Sequence, residues 1–129
     1  MNNIPTKGIC VDGSTSGNPG PSEYRGLDLE TGEILFEEQI GTATNNIAEF
    51  LALCHAIHYC KKKNINPVIY SDSVTALAWV RNRQHRTTFE GEITERLNKA
   101  CRFLMGTNIT PTKWKTKEWG EIPADYGRK

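Results

Sequence analysis

The chain has 129 residues, 37% hydrophobic and 24% charged, an ordinary globular balance that excludes collagen, coiled coil and wholesale disorder. Its most apolar stretch, residues 47–57, is broken by Glu49 and His55 and falls short of the roughly 18 residues a bilayer helix needs, and residues 1–7 lack the apolar core of a signal peptide. The formal net charge of +1 hides an asymmetry: residues 1–50 hold two cations against eight acids (−6), residues 51–98 seven against four (+3), and residues 99–129 seven against three (+4).

One domain over residues 1–129 is expected from this length. The N-terminal part supplies carboxylates, and the C-terminal part supplies cations suited to phosphates. Cys10, Cys54, Cys60 and Cys101 lie 44, 6 and 41 positions apart, so no C-x-x-C pair suggests zinc or thiol redox chemistry. They are expected to be reduced, buried small hydrophobes, and the chain to be cytoplasmic.

Residues 7–12 form an apolar run ending in Asp12-Gly13 and followed by Gly17-Asn18-Pro19-Gly20-Pro21, the pattern of a buried strand entering a long turn. Two further strands are expected over 24–29 and 34–40, joined by the hairpin chemistry of Glu30-Thr31-Gly32-Glu33. At residue 47 the period changes. Ile47, Phe50, Leu51, Cys54, Ile57 and Cys60 recur at three-to-four spacing and predict a helix over 47–63. Asn46 with Glu49 three residues later resembles a capping box with Asn in place of Ser or Thr.

Residues 68–71 predict a short strand, after which Asp72 or Ser73 caps a helix through Val80. An amphipathic helix is expected over 90–104, with Ile93, Leu97, Cys101 and Leu104 on one face. Residues 113–119 predict a last strand with Lys113, Lys115 and Lys117 on one face, and Pro123 suits the first turn of a short terminal helix. This order describes a layered α/β domain whose 68–71 strand joins the sheet through a helical crossover. Asp12 and Asp72 fall at expected C-terminal ends of strands, where open α/β sheets carry their sites.

Each acid also has a local explanation: a turn for Asp12, a helix cap for Glu49 and Asp72, a helix N-terminus for Asp125. Their order and neighbours carry more. Asp12-Gly13-Ser14 with the Gly-Asn-Pro-Gly-Pro turn, Thr44-Asn45-Asn46-Ile47-Ala48-Glu49, Ser71-Asp72-Ser73, and Ala124-Asp125 near Arg128 resemble the four acidic motifs of type 1 ribonuclease H. The resemblance keeps the family's motif order and runs from Lys7 over nearly the whole chain.

It implies a ribonuclease H-like α/β fold, a central five-stranded mixed sheet with helices on both faces. It implies two magnesium ions, with manganese as the substitute, held by Asp12, Glu49, Asp72 and Asp125, and hydrolysis of the RNA strand of RNA-DNA hybrids. The chemistry agrees. Hard divalent ions take carboxylate oxygens, and a pair roughly 3.5–4 Å apart brackets a scissile phosphate. Ser14, Ser71 and Ser73 lack a partner base, because His55 and His58 fall in a helix pattern and His85 in a basic loop; a Ser-His-Asp enzyme is therefore not expected.

Asn18, Asn45 and Asn46 can both donate and accept, which suits ribose 2′-hydroxyls and minor-groove edges. The resemblance puts Thr44 near the DNA phosphate, and Gly13, Ser14, Lys113, Lys115 and Lys117 complete the expected substrate-binding set. Many members of that family carry a histidine in the loop after the last strand; residues 114–121 here contain none, leaving Glu121 or Lys117 for that place. The basic stretch at 81–86 is brief beside the handle of some members, and Trp79 is expected in the core. The expected partner is the hybrid, with no membrane and no obligate protein partner. The alternative is a nucleic-acid-binding module that keeps this fold without catalysis; a third reading is an integrase or exonuclease relative.

Overall fold

In the computed structural model, which describes residues 3–126, the chain runs through β1 (Ile9–Thr15), β2 (Gly20–Asp28), β3 (Ile34–Ala43), α1 (Asn45–Lys63), β4 (Ile69–Ser71), α2 (Val74–Asn82), α3 (Ile93–Leu104), β5 (Thr112–Lys113) and α4 (Thr116–Trp119). The strands form one sheet in the order β3-β2-β1-β4-β5. β1, β2 and β3 pair antiparallel, whereas β4 joins β1 and β5 joins β4 in parallel. The sheet is mixed and five-stranded, as the resemblance implies.

The β2–β3 hairpin falls where its turn residues predict. Asp28 Oδ1 accepts the Glu30 N–H at 2.8 Å, and Gly32, at φ 78°, donates its N–H to the Asp28 carbonyl. β1 is buried along all but its last residue because side chains cover it on both faces. On one face Ile9 and Val11 join the main core with α1, α2 and α3. On the other, Cys10 packs with Trp114, Ile122 and Ala124, flanked by Leu27, Tyr70 and the α4 residue Trp119.

α1 buries more than the stripe its periodicity marks. Ala48, Ala52, Leu53 and Ala56 are buried as well, because the helix is covered by the sheet, α2 and α3 together. Thr44, rather than Asn46, is its N-cap: the Thr44 Oγ1 accepts the Ile47 N–H at 3.3 Å. The expected capping box does not form, since the Glu49 carboxylate instead accepts the Gly13 N–H on β1. Ser73 caps α2, accepting the Ala76 N–H at 3.1 Å. Trp79 is buried edge-on to Phe50.

The last strand is shorter than expected. β5 ends at Lys113, and residues 116–119 turn into the single helical turn α4. Trp114 and Trp119, five apart, would lie on opposite faces of a strand. The helical turn instead brings both rings against Tyr70 and to 5.0 Å from each other, and the Trp114 indole donates to the Gly120 carbonyl at 2.9 Å. Lys113, Lys115 and Lys117 therefore do not share a strand face. The expected terminal helix is absent among the described residues: the Asp125 N–H bonds the Ile122 carbonyl in one turn, and Arg25 takes the carbonyls a continuing helix would use. Gly127, Arg128 and Lys129 lie outside the described residues. No helix among the described residues is long and apolar enough to cross a membrane.

Candidate metal centre

Three elements bring three carboxylates to one place. Asp12 lies on β1 with no exposure, Glu49 lies near the start of α1 at 3%, and Asp72, half-buried, directly follows β4. One oxygen from each lies within 4.8 Å of the others. The parallel pairing of β1 with β4 sets Asp12 and Asp72 side by side, and the crossover helix between the strands delivers Glu49.

That delivery depends on Gly13. A Cβ there would stand 2.7 Å from the backbone of Ala48 and Glu49, closer than carbon atoms approach. Without it, the first turns of α1 lie against β1 and the Gly13 N–H turns the Glu49 carboxylate toward the strand. On the other side, the Tyr126 N–H donates to Asp12 Oδ2 at 3.3 Å, so the last described residues share that carboxylate.

Converging carboxylates, two of them buried, repel strongly in a low-dielectric setting. A hard, oxygen-seeking divalent cation answers both the charge and the donor type. Thiolates are not available as ligands: all four cysteines are free and buried, and burial pushes Cys10 up to about 12. Ser71 and Ser73 have structural work, the Ser71 Oγ accepting the Ser73 N–H and Ser73 capping α2.

Of the four acids named from the sequence, Asp125 is not part of the three-oxygen group, although its neighbour Tyr126 bonds Asp12. Asn18, Thr44, Asn45 and Asn46 do come together at the start of α1, close to Glu49. The exposed Asn18 Oδ1 accepts the Asn45 N–H at 3.0 Å, joining the turn after β1 to the helix that carries Glu49. Gly13 and Ser14 are buried in β1. The lysines are dispersed: Lys113 Nζ donates to the Trp114 carbonyl at 2.8 Å, Lys115 Nζ lies 5.7 Å from the Trp119 ring centroid, and Lys117 is exposed on α4.

Sequence reasoning passed over Arg25. Its Nε donates to the Ala124 carbonyl at 2.8 Å and its Nη2 to the Asp125 carbonyl at 2.9 Å, across about a hundred residues of chain. One signal pointed to it. It is one of only two cations among the first fifty residues, the other being Lys7.

Comparison with known proteins follows this geometry. Residues 6–122 match the RNase H family, and the chain belongs to that family. A curated Ribonuclease H of Neorickettsia sennetsu is 29% identical over 85 residues, a match covering 58% of this chain and 56% of that protein, so the chain spans little more than half the length of this relative. Among solved structures, RNase H1 of the halophilic archaeon Halobacterium salinarum is 22% identical with TM-score 0.54, covering 85% of this chain and 86% of that one. LC11-RNase H1, isolated from compost and solved in complex with an RNA/DNA hybrid, is 24% identical with TM-score 0.55 over 85% and 86%. The N-terminal RNase H domain of Rv2228c from Mycobacterium tuberculosis is 21% identical with TM-score 0.52 over 81% and 83%. At these identities the structural likenesses establish the fold.

Proposed function

We propose that this chain, acting as one domain, is a metal-dependent endonuclease that hydrolyses the RNA strand of RNA-DNA hybrids. The observation that carries the reading is the convergence of Asp12, Glu49 and Asp72, with Asn45 and Asn46 at the start of the helix that carries Glu49 and Asn18 bonded to Asn45. Family membership supports the activity, and the hybrid bound to LC11-RNase H1 supports the substrate.

In this reading Asp12, Glu49 and Asp72 would hold the cation, magnesium or manganese, and Asp125 would complete a set for two ions. When bound, such ions supply Lewis acidity to the scissile phosphate and a water of lowered pKa as nucleophile. The protein's part is to fix the oxygens. The Gly13 N–H holds Glu49 and the Tyr126 N–H holds Asp12, both before substrate arrives. Asn18, Asn45 and Asn46 read ribose on the cut strand through groups that donate and accept. Thr44, the N-cap of the same helix, would join them at a backbone phosphate. The four cysteines, free and buried, support a reducing, cytoplasmic location.

The deciding experiment incubates a labelled hybrid, an RNA duplex and a DNA duplex with and without magnesium, alongside Asp12→Asn. Cleavage confined to the ribose strand of the hybrid, dependent on metal and absent in the variant, is the expected result. Cleavage in excess chelator would overturn the metal mechanism, and tight hybrid binding without cleavage would favour the non-catalytic alternative.

A further inference from the structure

We propose that Arg25 is a positioning residue of the metal centre, fixing the main chain on both sides of Asp125 so that this carboxylate is presented beside Asp12. The inference rests on the reading of Asp125 as the fourth carboxylate.

The sheet register starts the argument. Arg25 on β2 is the antiparallel partner of Asp12 on β1, so both side chains leave the same face of the sheet. That face is the one on which Ile122 and Ala124 pack. The guanidinium reaches the segment with two charge-assisted bonds, and both go to main-chain carbonyls rather than to a side chain.

Their placement accounts for every polar group of the two peptides flanking Asp125. In the Ala124-Asp125 peptide the carbonyl accepts from Arg25 Nε and the N–H donates to the Ile122 carbonyl. In the Asp125-Tyr126 peptide the carbonyl accepts from Arg25 Nη2 and the N–H donates to Asp12 Oδ2. With both peptide planes held, φ and ψ of Asp125 are set, and so is the direction in which its side chain leaves the chain.

Tyr126 closes the arrangement. Its ring lies under the guanidinium, with Arg25 Cζ 4.4 Å from the centroid, and its hydroxyl donates to Glu37 at 3.3 Å. Glu37 is the β3 partner of Arg25 in register. Tyr126 is thus tied to β1, β2 and β3 at once. No helix among the described residues holds this segment in place. Arg25 does it from the sheet.

The test compares Arg25→Met, which keeps the apolar stem and removes the donors, with Arg25→Lys and Asp125→Asn. The readouts are hydrogen exchange at the Asp125 and Tyr126 amides without metal, calorimetric magnesium titration, and kcat against KM on a hybrid. Arg25→Met should speed exchange at those two amides while β1 and α1 keep their protection. It should also raise the magnesium midpoint by roughly 10- to 100-fold, the usual effect of removing a group that orients a metal ligand, and lower kcat with KM unchanged. Arg25→Lys should recover part of each, since an ammonium donates without the planar fork. Asp125→Asn should weaken magnesium binding and leave exchange as it is.

Unchanged exchange at both amides in Arg25→Met would overturn the proposal. So would a uniform loss of protection across β1 and α1 that Arg25→Lys fails to relieve, which marks a general packing role. If Arg25→Met does not fold, the same two amides in Arg25→Lys decide. Should the unaltered protein bind magnesium and leave hybrid uncut, the nuclease reading fails, while the exchange and calorimetry still judge Arg25.

Discussion

Asp12 has no exposure and stands among other carboxylates, where a negative charge without a cation is costly. Asp12→Asn keeps an oxygen that can accept the Tyr126 N–H while removing the charge. Cleavage should vanish, and in metal-free buffer the variant should be more stable than the native chain by roughly 1–3 kcal/mol, the scale of like charges a few ångströms apart at an effective dielectric near 20. Denaturant melts with chelator and with magnesium check this: the gain should shrink when the cation is supplied. His55 makes a second case at this scale. Arg96 donates to the Tyr24 hydroxyl at 2.9 Å, and that hydroxyl shares a second hydrogen bond with His55 Nδ1 at 2.8 Å. Burial, foremost, lowers the His55 pKa from 6.5. The unfolded chain therefore binds this proton first as pH falls, and the stabilisation present above 6.5 is lost as pH drops below it toward the folded value. Between about pH 7.5 and about pH 5 the Tm of the native chain should fall further than that of His55→Gln, which keeps a neutral acceptor; equal falls would clear His55 of any part.

Among the elements, the contact of α1 with β1 is the one on which the site turns, and Gly13 makes it. Gly13→Ala inserts a carbon 2.7 Å from the Ala48 and Glu49 backbone, so the first turns of α1 must move and carry Glu49 away from Asp12. Activity at saturating magnesium should drop by more than tenfold while the fold survives at a cost of about 1–3 kcal/mol, the range for overpacking a tight contact. Full activity in a folded Gly13→Ala protein would show that Glu49 needs no such closeness. The sequence announces much of this layer. An apolar run and turn residues mark β1 to β3, three-to-four spacing marks α1 and α3, and Asp72 directly follows β4 as expected, whereas Asp12, expected at a strand end, lies inside β1 because pairing with β2 carries that strand on to Thr15. It misleads where local pattern and tertiary contact compete. The alternating lysines after Thr112 read as a strand, yet Trp114, Trp119 and Tyr70 gain edge contacts only if the chain turns helical. Asn46 and Glu49 have capping-box spacing, but Glu49 bonds β1 and the cap passes to Thr44. Arg25 stands out only as one of two early cations, and its role is illegible because its partners lie 99 and 100 residues away, a proximity created only by sheet register.

Across the whole molecule, the −6 of the first fifty residues includes Asp12 and Glu49, so in the proposed reading a polyanionic strand approaches like charge there. Cations must come from bound metal and from the later, basic part of the chain, so binding should weaken steeply with salt as phosphate contacts release counterions. The three lysines near β5 will not contribute alike. Lys113 is half-buried and already donates to the Trp114 carbonyl, Lys115 lies over Trp119, and Lys117 is exposed on α4. Lys117→Ala should therefore flatten the plot of log affinity against log salt by about one, the change for a lost phosphate contact, with Lys115→Ala smaller and Lys113→Ala near zero. Calcium in place of magnesium keeps the hybrid intact during such titrations if cleavage needs the smaller ion's octahedral geometry. A slope flattened most by Lys113→Ala would put the hybrid along the β5 edge instead, beneath the aromatic cluster rather than across α4.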